Sequence, residues 1–241
     1  MSLAKFKEKF KKKYQPYKRR LLTAKNKDIN EADTVDIITG ILHDILGYDR
    51  FDDITREYLI KGTYCDLALK INNKVKILIE VKAIGIDLKE IHLNQAVGYG
   101  ATEGIEWVIL TNGLRWMLYK ITWKNKVQSH LVKEIDFSKI SFRKDEDTKA
   151  MYGISKVGFL KQIVHSDFEH QQLVNKYNIG SVLLSDLFSR QIRAQLRKVN
   201  SKIKIDSQEI KAIIENEIIK REIIDNDLTK IFIKKTKKFL K

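Results

Sequence analysis

The sequence predicts an α/β protein with a helical second half, and three observations carry that expectation. An amphipathic helical run precedes three short apolar strands separated by turn signals, and a second helix and further strands follow them. After about Asp145 the periodicity becomes helical throughout. The chain has 241 residues, 28.2 kDa and 43% hydrophobic content, enough for one core with an appendage or for two small domains. The expected organisation is a basic N-terminal helix over 1–27, an α/β domain over 28–140 and a helical domain over 145–241.

Taken in order, residues 4–22 place Phe6, Phe10, Tyr14, Tyr17 and Leu21 at helical spacing among lysines, with Pro16 marking a point where the helix can break. A stripe of this kind reads as a docking face. A second helix is expected from about Asn30 to Leu46, its apolar face made by Val35, Ile38, Ile41, Leu42 and Ile45, with Gly47 placed as its stop. Strands are expected over about Ile54–Ile60, Tyr64–Ile71 and Val75–Lys82, divided by Lys61-Gly62 and Asn72-Asn73-Lys74. A helix over about Leu88–Thr102 follows, then the strand Trp107–Thr111, the Asn112-Gly113 turn and strands near Arg115–Ile121 and Val127–Val132. Helices are expected over Lys156–Lys176, Val182–Val199, Gln208–Ile224 and Leu228–Leu240, with Ser207 as an N-cap for the third.

Charge is distributed unevenly. Net charge is +15, yet residues 1–27 hold eleven Lys/Arg against one Glu, and residues 230–241 hold six Lys and no acid. The segment between them is nearly neutral, with 29 basic and 30 acidic residues. Cationic ends favour polyanions, of which nucleic acid is the common one, although lysine-rich ends also serve solubility. One cysteine, Cys65, excludes an internal disulfide and fits a reducing compartment. No apolar run reaches the roughly 18 residues of a membrane helix, and the basic N-terminus lacks the apolar block of a signal peptide. Cytoplasm is the expected location. The five histidines fall at no zinc spacing.

The chemistry concentrates in two neighbouring strands. Ile77-Leu78-Ile79-Glu80-Val81-Lys82 is an apolar strand with an acid and a base near its end, and Asp66 interrupts the run Tyr64–Leu69. A buried strand tolerates an ionised group only when it is paired or holds a metal. Glu80 and Lys82 share a face at spacing two, and pairing through Asn72-Asn73 can turn Asp66 toward them. Oxygen ligands without Cys or His select Mg²⁺ or Mn²⁺, and a nearby ammonium suits phosphodiester hydrolysis. The plainer alternative is a buried salt bridge with no metal, but one lysine cannot neutralise two acids. Glu31, opening the helix before the sheet, reads by itself as a solvated first-turn acid. Gln95 and Tyr99, four apart on the helix after Lys82, read singly as surface or packing residues.

In the order Glu31-x-x-Thr34, Asp66, Glu80-Val81-Lys82 and Gln95-x-x-x-Tyr99, the chain resembles the PD-(D/E)XK nuclease superfamily. More narrowly it is similar to the N-terminal nuclease domain of type I restriction enzyme R subunits. Leu46-Gly47-Tyr48, Gly62 to Asp66, Ile79–Ala83, and Leu110-Thr111-Asn112-Gly113 with Trp116 and Tyr119 carry the narrower likeness, over roughly residues 28–135. The resemblance implies a restriction-endonuclease-like core, a mixed sheet flanked by helices. It implies Mg²⁺ (or Mn²⁺) held by Asp66, Glu80 and the Val81 carbonyl, Lys82 as catalytic lysine, Glu31 as auxiliary acid, and Gln95 with Tyr99 positioning DNA or the attacking water. Cys65 stands where the family's nominal proline would precede the Asp. No Gly-x-x-x-x-Gly-Lys-Ser/Thr phosphate loop occurs, so neither a nucleoside triphosphate site nor a motor is expected in these residues. The expectation is a Mg²⁺-dependent deoxyribonuclease whose partners are DNA, ahead of RNA, and subunits of a restriction system. The alternative is a DNA-binding or accessory subunit that cleaves nothing.

Overall fold

The computed structural model describes residues 1–123 and 126–236. Its contacts gather the chain into two compact units, Met1–Phe168 and Glu169–Lys241.

The first unit opens with α1 (Leu3–Asn26) and α2 (Glu31–Asp44). Pro16 lies inside α1 without ending it. A mid-helix proline costs about 3 kcal/mol. Against this, α1 buries Phe6, Phe10, Tyr14 and Leu21 almost completely, and each side chain is worth about 1.5–3 kcal/mol. The aromatic stripe wins. These rings pack with Phe137, Phe142 and Tyr152, so the basic helix is a wall of the main core. In α2 the Asn30 side chain accepts the Asp33 amide at 2.9 Å, an N-cap that fixes where Glu31 begins the helix.

Six strands follow: β1 (Ile54–Ile60), β2 (Thr63–Ile71), β3 (Lys74–Val81), β4 (Trp107–Thr111), β5 (Arg115–Trp123) and β6 (Val127–Asp136), with α3 (Glu90–Glu103) between β3 and β4. They form one sheet in sequence order, antiparallel except for the parallel β3–β4 pair that the α3 crossover permits. The sheet is therefore mixed and flanked by helices, as expected. One face, with Leu67, Leu69, Ile77, Ile79 and Ile109, joins the core of α1 and α2. The other, with Ala68, Leu78, Val108 and Ile121, packs on Ala96 of α3.

The β2–β3 hairpin contains the decisive irregularity. Asn72 and Asn73 both take positive φ, 51° and 61°, the left-handed pair of a two-residue hairpin turn. The turn aligns Ile71 with Lys74 and Lys70 with Val75. Continued unbroken, that register would set Asp66 opposite Ile79. A bulge between Leu69 and Lys70 shifts the register by one, so that Leu69 meets Ile77 and Leu67 meets Ile79. The next step then brings Asp66 opposite Glu80. Because side chains alternate faces, a single-residue slip decides whether the two acids share a side.

α4 (Asp145–Gly153) and α5 (Lys156–Leu160) close the first unit, and the unit boundary falls within α6 (Ile163–Leu173). α4 lies in the segment expected to be helical but precedes the first individually expected helix, Lys156–Lys176. The second unit continues with α7 (Lys176–Leu183), α8 (Asp186–Val199), α9 (Ser207–Ile213), a π-helical turn (Ile214–Ile218), α10 (Arg221–Ile224) and α11 (Asp227–Thr236). Its core gathers Ile210, Ile214 and Ile219 with Leu183, Phe188 and Ile192. The expected long helices are broken into shorter ones by caps inside the apolar runs. Asn175 accepts the Tyr177 and Asn178 amides, and Ser185 accepts that of Phe188. Periodicity alone does not register such interior caps. Asp206, rather than Ser207, caps α9; the Ser207 hydroxyl is buried without a partner. Of the helix expected over Leu228–Leu240, residues 237–240 lie outside the described residues. Among the described residues no helix is long and apolar enough to cross a membrane.

Candidate active site

Asp66, Glu80 and Lys82 converge where β3 ends. Strand β3 runs between β2 and β4, so Glu80 is covered on both sides and is only 1% exposed. Its Oε1 accepts a hydrogen bond from the Lys82 ammonium at 2.6 Å, while its Oε2 is buried with no partner. Burial pushes the Glu80 carboxyl up to about 7 against the pull of Lys82, and the charge of Asp66 adds to the rise. The half-buried Asp66 accepts the Val81 amide at 2.6 Å. Desolvation raises its pKa, that amide opposes the rise, and Glu31 adds to it. Burial alone would lower Lys82, but its hydrogen bond to Glu80 and the fields of Glu31 and Asp66 outweigh burial, so the net direction is upward. The lysine is an ammonium.

The remaining expected residues are placed differently. Glu31, half exposed at the start of α2, reaches Lys82 at 3.7 Å and so joins the site through the lysine. Gln95 donates to the Tyr99 hydroxyl at 3.0 Å, pairing the two along α3. Among the described residues no hydrogen bond or ion pair links either of them to Asp66, Glu80 or Lys82. Val81 meets the site through its amide.

Two positioning residues carried no assigned role in the sequence reading. The Thr111 carbonyl accepts the Lys82 amide at 2.9 Å, extending the parallel pairing one residue past β3. Asn112 accepts the amides of Leu114 and Arg115 on Oδ1 and donates Nδ2 to the Ile86 carbonyl at 2.9 Å. The turn after β4 is thereby tied to the segment after Lys82. Gly113 is required in that turn, with φ at 83° and a Cβ that would lie 2.7 Å from Leu21. The Asn-Gly pair was a visible turn signal, but its grip on Ile86 joins residues far apart in sequence.

Among the described residues no group of three or more His, Cys, Asp or Glu is gathered to hold a metal. A divalent ion at this site would rest on two carboxylates, main-chain oxygen and water, the sparse ligation that Mg²⁺ accepts. The residues fit such an ion in one specific respect: an unpartnered, buried carboxylate oxygen on Glu80 faces a high desolvation cost that a hard cation removes.

Residues 38–136 match the family model described as type I restriction enzyme R protein N terminus (HSDR_N). The matched segment runs from α2 to the end of β6 and contains Asp66, Glu80, Lys82, Gln95 and Tyr99 but not Glu31. It covers under half of the 241 residues. No curated protein and no solved structure matches the chain.

Proposed function

We propose that the first unit is a Mg²⁺-dependent nuclease that hydrolyses DNA phosphodiester bonds, a type I R-subunit-like nuclease of the PD-(D/E)XK kind. One observation carries the reading: Lys82 is held at 2.6 Å from Glu80, whose second carboxylate oxygen is buried, unpartnered and beside Asp66. Asp66, Glu80 and the Val81 carbonyl would hold the cation. When bound, Mg²⁺ (or Mn²⁺) supplies positive charge that acidifies the attacking water and offsets charge on the phosphodiester. Lys82 presents ammonium protons to the water or to a phosphate oxygen, stabilising charge that grows in the transition state. Glu80 and Glu31 aim that ammonium from two sides. The Val81 amide keeps Asp66 in place. Gln95 and Tyr99, hydrogen-bonded to each other, offer a polar edge on α3 for positioning DNA. The cytoplasm is the proposed location, and subunits of a restriction system are the proposed protein partners.

The test is cleavage of circular and linear DNA with Mg²⁺. Glu80→Ala and Lys82→Ala should each abolish cleavage with the native fold retained. Cleavage surviving both would move the active site elsewhere. A readout independent of activity is stability: Mg²⁺ should raise the unfolding midpoint of the native chain and not that of Glu80→Gln. A second reading, an accessory subunit that binds DNA without cutting it, is favoured by the closed Glu80–Lys82–Glu31 ion pairing, which a structural salt bridge would also produce. It predicts DNA binding that persists in EDTA, with no cleavage under any divalent ion.

A further inference from the structure

A polar cavity of about 360 Å³ lies between α1 and α2, with Tyr17, Arg20, Asp36, Gly40, Asp44 and Arg50 among its lining residues. It is remote from Lys82. Gly40 is nine residues along α2 from Glu31, about 13 Å of helical rise and half a revolution around the axis. Its two acids are already matched. Asp36 pairs with Arg56 at 2.7 Å, and Asp44 accepts the Tyr17 hydroxyl at 3.0 Å and faces Lys13 at 3.5 Å. Arg20 and Arg50 both act on the Tyr17 phenol electrostatically, yet among the described residues neither has a carboxylate within ion-pair distance. Lys13 and Arg56, from outside the lining, thus take up the two acids, and the two arginines of the lining are uncommitted.

We infer that this cavity is a phosphate-binding subsite, and that it takes a backbone phosphate of duplex DNA away from the scissile bond. The guanidinium fork matches phosphate oxygens in a way an ammonium does not, so a pair of arginines at a concave site selects a phosphoryl group over a simple halide. The cavity is also built. A Cβ on Gly40 would lie 2.6 Å from the Tyr17 hydroxyl, so glycine gives the phenol room to approach α2 closely and fasten Asp44. Burial and then the Asp44 hydrogen bond push that phenol up to about 12, which keeps it a donor to Asp44 and leaves the carboxylate satisfied. The Tyr17 hydroxyl and Lys13 thus occupy Asp44, and Arg20 and Arg50 keep their donors for an incoming anion. The eleven cations of residues 1–27 supply the long-range field that draws a polyanion to this side. The assignment of DNA as the phosphate carrier rests on the proposed function; the anion chemistry does not.

The experiment is duplex-DNA affinity of the full chain in EDTA, where binding is read without cleavage, over a salt series. Arg20→Ala/Arg50→Ala should weaken binding about tenfold at low salt and flatten the dependence of log affinity on log salt by about one. Lys144→Ala/Lys149→Ala, which removes two exposed cations beside and on α4, should change both far less. Equal losses in the two double variants would overturn the subsite, and no DNA binding by the native chain would refute the DNA assignment. In a second arm, inorganic phosphate should shift the Arg20 and Arg50 Nε–H resonances only at millimolar concentration. Micromolar saturation by phosphate, with DNA affinity unmoved by the arginine pair, would refute the DNA assignment. Because none of these readouts needs catalysis, a protein that fails to cleave can still pass them.

Discussion

Replacing Glu80 by glutamine tests the site where its physics is most exposed. The carboxyl is raised from 4.5 to about 7, chiefly by desolvation. A raised acid binds its proton more tightly in the folded state, so its stabilising contribution is complete below about 4.5 and is lost as pH climbs through about 7. At 1.36 kcal/mol per pKa unit, the loss between pH 4.5 and 7.5 is at most about 3 kcal/mol. Glutamine keeps the shape and cannot ionise, so Glu80→Gln should lack this decline. The difference in unfolding free energy between the two proteins should therefore move by about 3 kcal/mol in favour of the variant from pH 5 to pH 8. With urea slopes of about 1–3 kcal/mol/M, that is a relative midpoint shift of about 1–3 M. All three tryptophans, Trp107, Trp116 and Trp123, lie in the first unit, so intrinsic fluorescence in EDTA reports the unfolding of that unit alone. Parallel pH profiles for the two proteins would mean that Glu80 is solvated, and the buried carboxylate on which the site depends would not exist.

Other expectations follow from burial. Phe10→Ala should cost about 3–5 kcal/mol, because Phe10 is fully buried against Phe6, Tyr14, Phe137 and Phe142; an unchanged urea midpoint would make α1 a detachable tail. Cys65 is buried, its thiol raised to about 12 mainly by burial. It should resist alkylation at pH 8 until the first unit unfolds, and rapid labelling of the native protein would contradict its placement.

Much of the architecture was legible because each element carries its own period. The apolar runs of β2 and β3 with their turn signals, the apolar face of α2 and the Asn112-Gly113 turn are local signals, and the structure places them within a residue or two of expectation. The acids were legible for a related reason: Asp66 and Glu80 are charges inside apolar runs, and such residues demand a partner wherever they fold. Interior caps such as Asn175 and Ser185 escaped, since a polar residue within a helical pattern looks the same whether the helix continues or restarts.

What the sequence determined by itself is that Glu80 and Lys82 share a side of β3, because period-two alternation is a property of one strand. It also determined the order of helix and strands around them. Whether Asp66 joins them was decided by the bulge between Leu69 and Lys70, which overrides the register set by the Asn72-Asn73 turn. Tertiary structure likewise decided that Thr111 anchors the Lys82 amide, that Glu31 reaches the ammonium, and that a lysine-rich helix is a wall of the core. Each depends on how one segment is aligned against another distant in sequence, and that alignment is fixed by competing turns, bulges and packing surfaces rather than by either segment's own pattern.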